Sequence, residues 1–173
     1  MPKILENVRE QLLNEAKAQI ARAGYAKTTI RSVAQACGIG TGTVYNYFSS
    51  KEMLIASFML EDWENCLARV KAASAEDPEA YLQTLHEAIL SFARDHTALF
   101  QDQEAGKTFA AVFPSRHARL RAQVAALVMP VVKNLPEDPE FVAGFIAESL
   151  LTWTLAEVPF EKLYSQLRKL IES

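Results

Sequence analysis

Apolar residues recur at helical spacing along almost the whole chain, and no stretch alternates with a period of two, so the pattern predicts an all-α fold of about nine helices. Leu5, Val8, Leu12, Ala16, Ile20 and Ala23 form one stripe over residues 3 to 23, which Gly24 ends. Ile30, Val33, Ala34 and Cys37 follow at i, i+3, i+4, i+7 behind an N-cap at Thr28 or Thr29, and Gly38 supplies the positive φ that stops that helix. A short third helix starts near Thr41, and only Val44 and Phe48, four apart, look inward. Ser49 or Ser50 then caps a long helix from Lys51 to about Ala73, carrying Leu54, Ile55, Phe58, Trp63, Cys66, Leu67 and Val70. Asp77-Pro78 opens another, through Leu82, Leu85, Ile89 and Phe92, with a break around His96. A shorter helix is expected over Ala105 to Phe113 and a further one over 116 to 134, strained near its end by Pro130. Pro136-Glu137-Asp138-Pro139 punctuates the chain before a strongly apolar helix from Glu140 to Glu157 and a last amphipathic one from Phe160.

The helix pair within residues 29 to 48 carries the most chemistry. Ala34 is small where two helices must approach, and Ile39 and Val44 close their shared core. The outer face of the third helix is left with Thr41, Gly42, Thr43, Tyr45, Asn46 and Tyr47, a set of hydroxyls, an amide and aromatic rings suited to phosphates and base edges in a major groove. Gly40 and Gly42 thin the helix N-terminus so that its backbone can approach a ligand. This is the geometry of a helix-turn-helix. A plain helix pair with half-buried tyrosines is the simpler reading, but it leaves the bare N-terminus unexplained.

The run GYAKTTIRSVAQACGIGTGTVYNYFSSKEML resembles the DNA-binding domain of the TetR family of bacterial transcription regulators. Gly24-Tyr25, Thr28-Thr29-Ile30, Ala34, Gly38-Ile39, Gly42 to Tyr45, Tyr47-Phe48 and Lys51-Glu52 carry the resemblance, which covers about the first third of the chain. It implies an N-terminal three-helix DNA-binding domain over residues 1–50 and a helical regulatory and dimerisation domain over 51–173. Resemblance and residue chemistry together nominate Thr29, Arg31, Thr41, Gly42, Thr43, Tyr45, Asn46, Tyr47 and Lys51 as DNA contacts. Thr29, Tyr47 and Lys51 are assigned to phosphate, Tyr45 to a base methyl or sugar, and Arg31 and Asn46 to base edges.

Charge agrees with a DNA-facing end. Through Ile55 the chain has seven basic side chains against four acidic, leaving 11 basic against 17 acidic in the remainder. A positive head on an acidic body confines attraction for DNA to one end. With 173 residues, half of them hydrophobic, the chain can bury a substantial core. No run approaches the roughly 18 apolar residues of a membrane span, and the N-terminus lacks a signal peptide's apolar core, so a cytoplasmic protein with no membrane partner is expected. Cys37 and Cys66 sit on apolar helix faces far apart in sequence, which makes reduced thiols the expectation.

The aromatic side chains of the body, Phe58, Trp63, Phe92, Phe100, Phe109, Phe113 and Trp153 with Leu67, are candidates to line a cavity for a small, largely apolar ligand. His86, His96 and His117 are candidate polar contacts there, although each also reads as an ordinary satisfied or exposed side chain. The last two helices carry more apolar surface than one small body buries. In proteins of the family the chain resembles, two C-terminal helices from each subunit form a four-helix interface, which nominates Phe141, Phe145, Leu150, Tyr164 and Leu167 for a homodimer. A dimer would read a palindromic operator.

The reading is therefore a ligand-responsive repressor. A non-catalytic helical interaction protein and a helical-bundle enzyme are the alternatives from other classes. The enzyme would need Glu-x-x-His pairs for a di-metal site, Cys/His zinc spacing or a phosphate loop, and the sequence carries none of these. No cofactor or metal is expected.

Overall fold

In the computed structural model residues 7–136 and 138–172 are described, and among them the chain forms ten helices and no strand. They are α1 (Val8–Ala23), α2 (Ile30–Ala36), α3 (Thr41–Tyr47), α4 (Lys51–Lys71), α5 (Pro78–Asp95), α6 (Thr97–Phe100), α7 (Gln103–Val112), α8 (Arg116–Val132), α9 (Pro139–Leu155) and α10 (Phe160–Ile171). The start expected for the first helix at residues 3 to 6, with Leu5, and Glu137 of the Pro-rich punctuation lie outside the described residues. The tenth helix is α6, a single turn at the expected break around His96, too short to show a period in sequence.

Two compact units emerge, and they do not part at residue 50. The first holds the chain up to Trp63 together with His96–Phe113; the second holds Glu64–Asp95 and the chain from Pro114 onward. In the first, Leu12, Leu13, Ala16 and Ile20 of α1 pack with Val33 and Ala34 of α2, Val44, Phe48, and Leu54, Ile55 and Phe58 of α4. Leu99, Ala105 and Phe109 of α6 and α7 join the same core, which is why those helices belong with the N-terminal three. Asp102 caps α7, its carboxylate accepting from Ala105 N–H at 2.9 Å.

Charged and polar groups tie this unit together at its rim. Asp62 on α4 receives Lys17 Nζ from α1 at 2.6 Å and lies 3.1 Å from Nε2 of the buried His96. That imidazole stacks on Phe58 with centroids 5.8 Å apart.

The second unit is built on α8 and α9, packed side by side, with α5 and α10 laid against α9. Tyr81 Oη on α5 donates to the Leu127 carbonyl of α8 at 2.9 Å, and His86 Nε2 lies 3.2 Å from the Val158 carbonyl. Asp138 caps α9 by accepting from the N–H groups of Glu140 and Phe141, and Pro139 takes the first helical position, where no N–H is needed. Pro130 is followed by only two more helical residues in α8.

The nominated interface residues separate into two kinds. Leu150, Tyr164 and Leu167 are buried within the second unit, so they serve its own core and are corrected from interface to core. The amphipathic α10 spends its single apolar face there. Phe141 and Phe145 are 70% and 52% exposed, and with Leu155 they run along one outward stripe of α9 edged by Trp153. Excess apolar character was legible in the sequence, but which side of α9 stayed open depended on where α5, α8 and α10 packed.

Candidate nucleic-acid interface

Helix α2 is held at both ends by local chemistry. Thr29 and Ser32 form a reciprocal capping box, each side-chain oxygen accepting the other's N–H at 3.0 Å. Ser32 Oγ also donates to Gln19 Oε1 of α1 at 2.6 Å, which gives the buried Gln19 a partner. At the far end Gly38 takes φ +68°, and the Ile39 N–H reaches the Ala34 carbonyl at 3.0 Å while the Gly38 N–H reaches that of Gln35 at 3.1 Å. This is a Schellman turn, and it aims the chain into α3.

Of the residues in α3, only Val44 is buried; Phe48, just past its end, is the second anchor. Thr41, Gly42, Thr43, Tyr45, Asn46 and Tyr47 are all exposed. Tyr45 and Tyr47 are 56% and 48% open to solvent, an amount of bare aromatic surface that core packing does not account for. Thr29 and Arg31, at the start of α2, are exposed as well. Accepting the Ser32 amide leaves the Thr29 hydroxyl its own proton to donate outward.

A Cβ built on Gly42 meets nothing within 4 Å. Gly42→Ala is therefore expected to stabilise the fold, by up to about 1 kcal/mol from helix propensity. Any loss of DNA affinity in that variant measures how closely DNA approaches the α3 backbone. Thermal melting and a binding titration on the same protein give both signs.

Lys51 departs from a simple phosphate finger. It is half-buried, and its Nζ donates to the Tyr25 carbonyl at 3.0 Å while sitting 3.5 Å from the centroid of the Tyr25 ring. Burial lowers the ammonium's pKa, against the pull of the Glu52, Glu104 and Asp102 carboxylates. Two amides of the α4 N-terminus are engaged: Met53 N–H goes to Ser50 Oγ at 3.2 Å, and Glu52 N–H to its own carboxylate. Partial burial pushes the Glu52 carboxyl up, but bonds from that N–H, from Ser50 and from Tyr25 outweigh it and hold it below its usual range. The Lys51 ammonium keeps N–H groups with which to meet an anion here.

Tyr25 sits at the centre of this arrangement. Its hydroxyl donates to Glu52 Oε1 at 2.9 Å and is hydrogen-bonded to Thr108 of α7, and its ring meets Phe109 edge-on at 6.3 Å. Burial, then the Glu52 bond, pushes the phenol up to about 12. A raised acid pKa means stability that is complete below pH 10 and is lost as the pH climbs through 12. Tyrosinate absorbance is expected to show one late transition near pH 12 that is missing in Tyr25→Phe. The sequence had placed Tyr25 and Glu52 in the motif without a role, and Thr108 carried no signal, because these contacts join residues 26 or more apart.

The candidate ligand-lining residues divide between the two units. Phe58, Trp63, Phe100, Phe109 and Phe113 belong to the first unit, and Leu67, Phe92 and Trp153 to the second. Phe109 lies in the first unit's core, stacked on Phe113 at 5.9 Å, whereas Phe100 and Trp153 are half exposed. Helical spacing marks an aromatic as inward but does not say which helices it faces. Of the histidines, His86 and His96 have the partners given above, and the exposed His117 pairs with Glu148 at 3.0 Å. Cys37 and Cys66 are free thiols. Burial raises both, Cys66 to about 11, which makes them poor nucleophiles near neutral pH. Among the described residues no helix is long and apolar enough to cross a membrane, and no group of three or more His, Cys, Asp or Glu side chains is placed to hold a metal ion.

Residues 12–58 match the family model described as bacterial regulatory proteins, tetR family. The chain is 35% identical over 63 residues to the HTH-type transcriptional regulator UidR of Escherichia coli K12, covering 36% of this chain and 32% of that protein. It is 38% identical over 90 residues to the HTH-type transcriptional regulator BetI of Burkholderia thailandensis, covering 49% and 46%. The chain thus spans less than half the length of these curated relatives. The crystal structure of a TetR-family transcriptional regulator from Streptomyces coelicolor superposes over 94% of both chains with a TM-score of 0.63 at 18% identity, a likeness of fold. Motif and local geometry converge on residues 12–58, which match the tetR-family model, and beyond them the likeness to a solved TetR-family regulator is one of fold.

Proposed function

We propose that this protein is a cytoplasmic transcription regulator that binds a palindromic double-stranded DNA operator as a homodimer, represses from it, and is released by a small, largely apolar ligand. The observation that carries the reading is α3, a short helix pinned by Val44 and Phe48 that turns five polar or aromatic side chains and a bare glycine outward. Such a helix reaches base edges in a major groove, while Thr29, Tyr47 and Lys51 hold phosphates on either side. Arg31 and Asn46 supply base recognition. A regulator of this kind needs no catalytic group.

The second copy docks on α9. Phe141, Phe145 and Leu155 are large apolar side chains that the chain itself leaves uncovered, on a face of α9 shared with Glu148 and Thr152, and pairing two copies through them supplies the two-fold symmetry that a palindrome needs. Release follows from differential affinity: a ligand bound in the second unit favours the arrangement that does not fit DNA. The continuous helix α4 belongs to the first unit through Trp63 and to the second from Glu64, and carries the change. A hundredfold loss of operator affinity corresponds to about 2.7 kcal/mol of coupling.

The test is a mobility-shift titration of mixed-sequence duplex at several salt concentrations. A steep fall in affinity with salt is expected from several phosphate contacts per subunit. Absence of DNA binding at low salt would remove the reading.

A further inference from the structure

Lys51 reaches the surface by way of Tyr25. Its ammonium has three N–H groups: one is spent on the Tyr25 carbonyl at 3.0 Å, and the charge rests on the face of the Tyr25 ring at 3.5 Å. Both contacts come from one residue in the turn between α1 and α2. They fix the direction in which the remaining N–H groups point.

Tyr25 in turn is clamped on its far side by α7. Phe109 packs on the ring, and the Thr108 hydroxyl shares the phenolic oxygen with Glu52, the residue next to Lys51. Among the described residues these contacts belong to a single compact unit, so α7 is part of the body that presents α3. Nothing in the DNA reading requires a helix from residues 103 to 112 to lie there.

We propose that Tyr25 is a positioning residue for the Lys51 phosphate contact, and that its seat against α7 makes that contact depend on where α7 lies; the proposal rests on the DNA-binding reading above. A lysine free in solvent loses side-chain entropy when it grips a phosphate. Here the loss is already met in the folded protein, because the carbonyl and the ring hold the ammonium in place. A shift of α7 that loosens Tyr25 returns Lys51 to a mobile, solvated state and weakens its grip. Glu52 serves the same end from the other side, holding the phenol by its hydroxyl.

The test is a double-mutant cycle read as the salt dependence of binding to a mixed-sequence duplex. Lys51→Met is expected to lower the salt slope by about one per subunit. Tyr25→Leu is expected to lower it by a similar amount and to add nothing in the Lys51→Met background. Tyr25→Phe, which keeps the ring under the ammonium and its contact with Phe109 but loses the bonds to Glu52 and Thr108, is expected to recover part of the slope. If Tyr25→Leu lowers stability too far to be measured, Thr108→Val combined with Phe109→Leu loosens Tyr25 from α7 without touching Lys51, and the same loss of slope is expected. An unchanged slope in these variants, or an equal additional loss in the Lys51→Met background, overturns the proposal while leaving DNA binding intact. A wild-type protein that binds no duplex overturns the function reading itself, and a Lys51→Met protein with the full slope removes Lys51 as the phosphate contact and the proposal with it.

Discussion

Leu150→Glu is expected to leave the protein unfolded, whereas Phe145→Glu, on the same helix, is expected to fold and fail to dimerise. Leu150 has no exposed surface, so a carboxylate placed there loses its water. Burying an unpaired charge costs several kcal/mol, a large share of the roughly 5–15 kcal/mol that holds a domain together. Phe145 is half exposed, so a glutamate there stays in water in the single chain and is a good helix former. In the dimer it would face an apolar partner stripe, lose its hydration and split the pair. Circular dichroism and sedimentation of both variants separate these outcomes. A folded, fully dimeric Phe145→Glu protein would take α9 out of the interface.

The second large effect is on sequence preference. Asn46 is exposed on α3, one position from each tyrosine, and no buried contact depends on it. Asn46→Ala is expected to leave the melting transition in place and to relax discrimination at one base pair per half-site by about 1–3 kcal/mol. Tyr47→Phe is expected to behave differently. Losing a hydroxyl donor to phosphate weakens binding to every sequence, by about 1.5–3 kcal/mol per contact. Competition between operator and mixed-sequence duplex distinguishes them: the ratio moves for Asn46→Ala and stays fixed for Tyr47→Phe.

Much of the architecture was legible in the chain because local rules carry it. The Thr29 cap, the Gly38 turn and the lone inward pair Val44 and Phe48 each involve residues a few positions apart, and each stands where the pattern put it, while α9 starts at Pro139, one residue ahead of the expected Glu140. Long-range packing was not legible. Phe109 and Ala105 look like any apolar helix face, and only the folded chain shows that they cover the same core as Leu12 and Val44. The dimer nominations divided for the same reason: Leu150 and Phe145 are equally apolar in sequence and opposite in exposure. Lys51 was identified as the cation at the start of α4, but its hold on Tyr25 spans 26 positions and left no trace in the periodicity.

On the proposed function, two copies of α3 read DNA together. Selection of bound duplexes from a random-sequence pool by the wild-type protein tests it most directly. An enriched palindrome is expected, its half-sites about 34–36 Å apart or a multiple of that distance, with Asn46→Ala relaxing one position in each half. A pool that binds yet shows no enriched sequence, or an enriched site without two-fold symmetry, would contradict it.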